Sequence, residues 1–139
     1  MKRIFIDTNI MLDLLGERSP FYDSIAKIAT LAEKKKLTMV VSPISFATVS
    51  YFLSKYENSE IAKDKLRKFK IISEISVLNG QTIEKGLNSP MKDFEDALQY
   101  CSATESNCDI IITRNGKDFK KSLLPTMTAD EFLKSLYQL

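Results

Sequence analysis

Acidic side chains that could act together stand at three widely separated places in the chain. Asp7 follows the apolar run of residues 4–6. Asp93 and Asp96 open a predicted helix, and Asp118 comes after a run of three isoleucines. Carboxylate oxygens are the ligands that hard divalent cations take in proteins. The chain has no histidine, which excludes a Ser-His-Asp triad and argues against a zinc site of the usual Cys/His type.

The elements that carry these acids are predicted to bring them to one edge of a sheet. Strands alternate with helices, and several strands are uniformly apolar, which is typical of a mostly parallel sheet with helices on both faces. Ligands of such sheets bind beyond the carboxyl ends of the strands. Asp7 ends one strand, and Asn115 and Asp118 follow another. The helix beginning near Asp93 starts at the same edge, so we expect the three regions to meet there.

The position of each acid on the predicted helix decides which ones face the others. Asp93 and Asp96 are three residues apart and share one helix face, whereas Glu95 is expected to lie on another. Two unit charges 4 Å apart repel by about 4 kcal/mol at an effective dielectric of 20. A cluster of carboxylates therefore needs a proton or a cation. Mg²⁺ or Mn²⁺ fits best, and a carboxylate-held ion of this kind in an open cleft indicates phosphoryl chemistry.

Each element is predicted from hydrophobic periodicity and capping residues. The segment between Asp7 and Pro20 is interpreted as a link. Ser59 is a plausible cap for a helix over "SEIAKDKLRKFK", and Thr128 and Glu131 have the spacing of a capping box for the last helix. Strands are predicted within "KRIFID", "LTMVVS", "IISEISVL" and "DIIITRN", and further helices in residues 21–36, from Pro43 to Tyr56, in "GQTIEKGLN" and from Asp93 to Asn107, the last with the buried stripe Phe94, Ala97, Leu98, Cys101 and Thr104.

Three of these acids also have a simpler structural explanation. Asp93 is a good N-cap, and the helix dipole favours an anion at Asp96. Asp118 could cap a short helix after it. Asp7 ends an apolar strand and has no evident local hydrogen-bond role, although Asn9 could turn the chain, so a functional role is favoured most strongly there.

Two further groups of residues have alternative interpretations. The run "KDKLRKFK" holds five positive charges in eight residues and is either a solvated helix face or a contact for phosphates. Tyr51, Phe52 and Tyr56 are favoured as core or dimer contacts over base-stacking platforms. Cys101 and Cys108 would be about 10 Å apart on one helix, which is too far for a disulfide.

The composition is typical of a soluble globular protein. The 139 residues suffice for one domain, 1–139, and the net charge of +2 is compatible with nucleic acid. No apolar stretch is long enough for a membrane span. Asp7 and Asp13 interrupt the apolar N-terminus, and no small-residue cleavage site follows, so we predict folded structure there rather than a signal peptide, and a cytoplasmic protein.

Three motifs resemble those of the PIN domain family, and most closely the small bacterial members that include VapC-type toxin ribonucleases. They are "FIDTNIMLDLL", "DFEDALQYCSATESNCDIIITRNGKDF" and "PTMTADEFL". The resemblance covers essentially the whole chain. It implies a three-layer α/β/α sandwich and a metal-dependent endoribonuclease, and for toxin members a homodimer and an antitoxin partner that would cover the acidic cleft.

The resemblance also suggests roles for individual residues. Asp7 matches the family's first acid and Asp96 its helix acid, and these two would hold the metal directly. Asn115 falls where many members have aspartate, and Thr48 stands where a glutamate is usual. The metal shell would be completed by Asp93, Asn115 and Asp118, and substrate positioning would fall to Thr8, Asn9, Thr113 and Arg114.

The sequence thus predicts an Mg²⁺- or Mn²⁺-dependent ribonuclease that acts on RNA. The neutral residues Thr48 and Asn115 motivate a rival, a catalytically degenerate PIN-like module that binds RNA or a protein partner. A phosphatase with Asp7 as nucleophile is disfavoured because Asn9 stands where its second acid is needed. A receiver-type phosphoacceptor would share only the sheet topology.

Overall fold

Five parallel strands form the centre of the protein in a computed structural model that describes residues 1–137. The strands lie in the order β3-β2-β1-β4-β5, so the first strand is central and the chain reverses its direction of progress there. This all-parallel sheet confirms the predicted sheet type. The strands are β1 (Arg3–Ile6), β2 (Thr38–Val41), β3 (Ser73–Ile75), β4 (Ile110–Ile112) and β5 (Thr126–Met127).

Helices cover both faces of the sheet, which confirms the α/β/α sandwich. One face packs on α1–α4 and α7, and the other on α6, with α5 packed against α6. The helices are α1 (Thr8–Leu15), α2 (Tyr22–Glu33), α3 (Pro43–Tyr56), α4 (Ser59–Ile71), α5 (Gly80–Leu87), α6 (Phe94–Glu105) and α7 (Ala129–Leu136), and a 3₁₀ helix spans Gly116–Phe119.

The central strand β1 sets the register that places the site. Ile6 lies beside Ile112 of β4, so the residues that follow, Asp7 and Thr113, emerge side by side. Side chains alternate between faces: Ile4 and Ile6 pack with one helical layer and Phe5 with the other. Burial of β1 on both faces explains its uninterrupted apolar sequence.

Three details of the predicted elements are wrong. The segment after Asp7 is not a link, because Thr8–Leu15 form α1. The cap of α4 is Asn58 instead of Ser59, and its side chain accepts from the Ile61 N–H at 2.9 Å. Strand β5 was not predicted, since two residues carry no periodicity. The capping box of α7 is confirmed: Glu131 and Thr128 bond each other's backbone N–H groups at 2.8 and 3.1 Å.

The buried side of α6 differs from the predicted stripe. Phe94 and Thr104 are exposed, whereas Ser102 and Ala103 are buried together with Ala97 and Leu98. Small residues bury this side because neighbouring elements approach closely: a Cβ on Gly86 of α5 would lie 2.9 Å from Leu98 Cδ2. Cys101 is half-buried and Cys108 is buried, and both thiols are free. Among residues 1–137, no helix combines the length and apolar character needed to cross a bilayer.

Candidate active site

Asp7 lies at the end of the central strand and begins the helix that follows. Its N–H donates to the Ile112 carbonyl at 3.0 Å, which extends the β-ladder by one bond. Its Oδ1 accepts from the Thr8 N–H at 2.8 Å, so Asp7 is the N-cap of α1. The expectation that Asp7 has no local hydrogen-bond role is therefore wrong. Capping uses one carboxylate oxygen and leaves the other available to the site.

Thr113 fixes that second oxygen from the neighbouring strand. Its hydroxyl donates to Asp7 Oδ2 at 2.8 Å and accepts from the Asn115 N–H at 3.0 Å. Thr113 is 1% exposed, and its hydroxyl is occupied by protein atoms. This geometry gives Thr113 a role in orienting Asp7 and the loop after β4.

A buried polar network lies beneath the site and joins three helices. The hydroxyls of Thr8 and Ser45 are 2.7 Å apart, and Gln99 Nε2 donates to Thr8 Oγ1 at 2.8 Å. All three residues are buried. The network ties α1, α3 and α6 together, which holds the first residue of α1 and, through it, the cap at Asp7.

The acids of the three regions come within electrostatic reach of one another. Burial, then the charges of Asp93, Asp118 and Asp7, raise the pKa of Asp96 to about 6. Burial also raises the pKa of Asp7, with Asp118 adding to the rise, although the bonds from Thr113 and the Thr8 N–H act in the opposite direction. These mutual effects support the predicted convergence of residues 7, 96, 93 and 118 at one edge of the sheet.

Glu95 is an acid of this group that the helical-face argument left out. Burial, followed by the charges of Asp93 and Asp7, raises its pKa. Glu95 is exposed, whereas Asp93 and Asp96 from the same turn line the cleft beside the 3₁₀ helix, which agrees with the expectation that Glu95 lies on another face of the helix.

Two of the capping alternatives are resolved by the backbone. Asp93 is the N-cap of α6, with Oδ1 accepting from the Asp96 N–H at 3.0 Å. Its capping explanation is confirmed, and the same bond fixes the backbone that carries Asp96. Asp118 lies inside the 3₁₀ helix and does not cap a helix that follows it.

A cleft of about 290 Å³ opens between the start of α6 and the 3₁₀ helix. Asp93, Asp96 and Asp118 line it, and so do four lysines: Lys92, Lys117, Lys120 and Lys121. These lysines were missed by the sequence analysis, although the charged run "KDFKK" contains three of them. The cleft therefore combines acids that could hold a cation with cations that could bind phosphates.

The donor chemistry of this site fits a hard divalent cation. Its candidate ligands are carboxylate oxygens, and Mg²⁺ is commonly held by one or two of them together with water and phosphate oxygens. Within residues 1–137, no three acid or cysteine side chains already converge as a ligand set. Asp7 is fixed by two hydrogen bonds, whereas the exposed Asp93 and Asp118 lie at the periphery.

The remaining predicted positions surround Asp7. Asn9 is exposed on α1, Asn115 is half-buried and precedes the 3₁₀ helix, and Arg114 forms an ion pair with Asp13. Thr48 is half-buried one turn after Ser45, on the same face of α3. Thr48, which stands where the family usually has glutamate, therefore lies one turn beyond Ser45, the residue that contacts Thr8.

The basic and aromatic runs lie on other surfaces. In α4, Lys65 pairs with Glu57, while Lys63, Arg67 and Lys70 line a separate depression. In α3, Tyr51, Phe52 and Tyr56 are 61%, 38% and 88% exposed, so the interpretation of these rings as core is wrong. Their alternative as dimer contacts stays a prediction.

Comparisons with known proteins agree with this geometry. The family model described as PIN domain matches residues 3–117. The protein named Ribonuclease VapC1 of Aquifex aeolicus (strain VF5) is 26% identical over 136 residues, which covers 94% of this chain and 93% of that protein.

Solved structures share the fold at low sequence identity. VapBC2 from Rickettsia felis, bound to a DNA fragment from its promoter, has a TM-score of 0.69 and 22% identity over 91% of this chain and 98% of that one. VapBC-1 from nontypeable Haemophilus influenzae has a TM-score of 0.66 and 19% identity, over 92% and 98%. VapC20 of Mycobacterium tuberculosis, described as a sarcin-ricin loop cleaving toxin, has a TM-score of 0.65 and 12% identity, over 83% and 92%. The chain belongs to the PIN domain family.

Proposed function

We propose that this protein is a divalent-metal-dependent endoribonuclease that hydrolyses RNA phosphodiester bonds. The observation that carries the proposal is a buried Asp7 at the end of the central strand, in electrostatic contact with Asp96 and Asp118. Like charges placed together in this way favour a cation or a proton. The relative named Ribonuclease VapC1 supports a ribonuclease over other phosphoryl chemistry.

Each residue of the site has a part in this proposal. Asp7 and Asp96 would hold Mg²⁺ or Mn²⁺ directly, and Asp93, Asn115 and Asp118 would complete the shell directly or through water. When bound, such an ion lowers the pKa of its water and stabilises the leaving oxygen. Thr113 and the Thr8 backbone hold the Asp7 carboxylate in one orientation.

The chain's own cations would bind the substrate. Lys117, Lys120 and Lys121 border the cleft that holds Asp96 and Asp118, where they could contact phosphates on one side of the cleaved bond. Such contacts are independent of sequence and weaken with salt. Arg114 follows Thr113 directly, and we propose that it helps to position the substrate, with Asn9 at the exposed start of α1.

The proposal is tested by incubating the protein with structured RNA and Mn²⁺. Asp7→Asn should reduce cleavage by about 100-fold or more, because a direct ligand exceeds the roughly 10- to 100-fold effect of outer-shell partners. Asp64→Asn, which removes an exposed acid on α4, is the matched control and should cleave normally. Equal trace cleavage by wild type and Asp7→Asn would reject the enzyme.

A second candidate is a non-catalytic PIN module that binds RNA or a protein. It is favoured by the neutral Thr48 and Asn115 and by the lack, in the part of the chain described, of three gathered metal ligands. Calorimetric titration with Mn²⁺ separates the two functions. Millimolar or tighter binding that Asp96→Ala abolishes supports the nuclease, and no binding supports the module.

We also propose two protein partners. The similar folds of VapBC2 and VapBC-1 are known in complexes, which supports an antitoxin encoded beside this protein and covering the acidic cleft. The exposed rings of Tyr51, Phe52 and Tyr56 support a homodimer, since clustered exposed apolar surface marks interaction sites. Light scattering should give twice the mass of one chain, and Tyr51→Glu should return it to the monomer mass.

A further inference from the structure

A second pocket adjoins the site in the helical layer that contains α1, α2 and α7. It lies between α1, α2 and the start of α7, and its volume of about 520 Å³ is in the range of roughly 300–1,000 Å³ typical of small-ligand sites. The lysine cleft lies beside α6 instead. The proposed reaction assigns no ligand to this pocket. Its lining includes Phe21, Ile25, Arg114, Asn115 and Thr128.

Arg114 and Phe21 form a partly open platform in this pocket. The guanidinium carbon of Arg114 lies 4.0 Å from the centroid of the Phe21 ring, a cation–π contact. Phe21 is 41% exposed. Unpaired RNA bases stack on aromatic rings and on guanidinium planes, so the pair has the chemistry of a base-binding surface.

Asp13 builds this platform from beneath. Its carboxylate is fully buried and accepts from Arg114 Nε at 2.9 Å and Nη2 at 3.2 Å. It also accepts from Arg18 Nε at 2.9 Å. The bonds to Arg114 fix one edge of the guanidinium, and Nη1 lies outside this ion pair. Of the two arginines, Arg114 lines the pocket together with Asp13 and Asp130, whereas Arg18 lines a separate depression.

The pocket and the lysine cleft are joined by one loop that passes Asp7. Thr113 bonds Asp7, Arg114 and Asn115 line the pocket, and Lys117 and Asp118 line the cleft. An RNA strand whose phosphate sits at Asp7 would therefore extend into the cleft on one side and the pocket on the other.

We propose that this pocket binds the base of a nucleotide flanking the cleaved phosphate, stacked on the Phe21–Arg114 platform. Asp13 is then a positioning residue that acts through Arg114. The inference rests on the proposed ribonuclease function and deepens it, because it adds a nucleobase subsite to a metal and phosphate site. An aromatic–guanidinium surface that the loop after β4 joins to the acids favours an RNA base over a protein segment.

Binding is measured first, in the Asp7→Asn background and without added metal, so that cleavage does not interfere. The probe is a fluorescein-labelled single-stranded hexaribonucleotide of mixed sequence, followed by anisotropy. Phe21→Ala should weaken binding by about 5- to 30-fold, since loss of stacking on one base costs about 1–2 kcal/mol. Phe21→Trp should retain affinity. Tyr137→Ala, which removes a 77% exposed ring at the far end of α7, is the matched control and should change nothing.

Cleavage by the otherwise wild-type enzyme gives a second readout. Phe21→Ala should raise KM with little change in kcat. An abasic nucleotide on one side of the cut should reproduce this loss in wild type and cost nothing further in Phe21→Ala. Arg114→Lys, which keeps the charge but removes the planar group, should weaken binding non-additively with Phe21→Ala.

The outcomes distinguish this inference from the proposed function. Unchanged affinity and unchanged KM in Phe21→Ala overturn the subsite while Asp7-dependent cleavage upholds the nuclease. Weakened binding in Phe21→Ala, without any Asp7-dependent cleavage, upholds the subsite and rejects the nuclease. If Phe21→Ala instead releases a co-expressed protein and leaves RNA affinity intact, the pocket binds a protein segment and the inference is wrong.

Discussion

Asp7 and Asp13 are two buried carboxylates, six residues apart, whose charges are compensated differently. Asp13 is fully buried and contacts two arginine side chains. Asp7 is 9% exposed and accepts bonds from one hydroxyl and one backbone N–H, and Asp118 is near enough to raise its pKa. Burial of a charge is costly unless it is paired. Asp13 therefore stabilises its surroundings as it stands, whereas in the proposed function a cation would complete the compensation of charge at Asp7.

The most direct test of this difference between Asp7 and Asp13 is to neutralise each acid in the metal-free protein. Asp13→Asn removes the acid that pairs with two half-buried arginines and should lower the free energy of unfolding by about 3 kcal/mol, the lower end for a broken buried pair. Asp7→Asn keeps the helix cap and should change the free energy of unfolding by less than about 1 kcal/mol. Urea unfolding measures both values. Equal losses would show that the two acids are equivalent.

Added Mn²⁺ should stabilise proteins that keep Asp7 and should not stabilise Asp7→Asn. At 100 times its dissociation constant, Mn²⁺ should stabilise the wild-type protein by about 2.7 kcal/mol. Asp7→Asn should lose this gain, whereas Asp13→Asn should retain it from its lower starting point. Thermal unfolding with and without Mn²⁺ gives the shifts, and a gain in Asp7→Asn equal to that of wild type would remove Asp7 from the metal site.

Substitution of Thr113 measures how much its hydroxyl contributes to stabilising the Asp7 carboxylate. Thr113→Val leaves the buried Oδ2 without its donor and should cost about 1–2 kcal/mol of stability. It should also raise the pKa of Asp7 further, because the bond from Thr113 lowers it. Thr113→Ser keeps the donor and is the control. Urea unfolding and carboxyl NMR titration would report the two effects, and identical behaviour of Val and Ser would exclude the role.

A pH dependence is expected at Asp96, where solvent screening of a half-buried carboxyl reduces the size of the effect. Its pKa is raised to about 6 in the folded protein from an ordinary value of 3.8. The folded state thus binds more protons between these values, and metal-free stability falls as pH rises from about 4 to 6. Asp96→Asn lacks this loss, so its melting temperature relative to wild type should increase over that interval and level off above pH 7. A difference that does not vary with pH would contradict the shift.

The sequence predicted the sheet edge well because strand ends and helix starts are local features. The runs at residues 4–6 and 110–112 predicted the paired strands β1 and β4, and the cap at Asp93 predicted the start of α6. Helix α1 was missed because Thr8, Ile10, Met11, Leu12 and Asp13 are all buried, so no polar face reveals its period. Because α1 was not predicted, the role of Asp7 as its N-cap was not predicted either.

Contacts between distant residues were beyond the sequence for a different reason. Asp13 and Arg114 are 101 positions apart, and only the paired strands bring their elements together. The same holds for the contact between Thr8 and Gln99. Spacing along one helix, by contrast, is a local feature, and it correctly separated the face of Asp93 and Asp96 from that of Glu95.

Because the Thr8 N–H donates its capping bond to one Asp7 oxygen, the start of α1 and the charge of the side chain can be separated at one position. Asparagine, serine and threonine also begin helices well, so a chain with one of them at residue 7 would keep its shape while losing a negative charge. A variant of this kind would separate the contribution of the charge at residue 7 from that of the helix start.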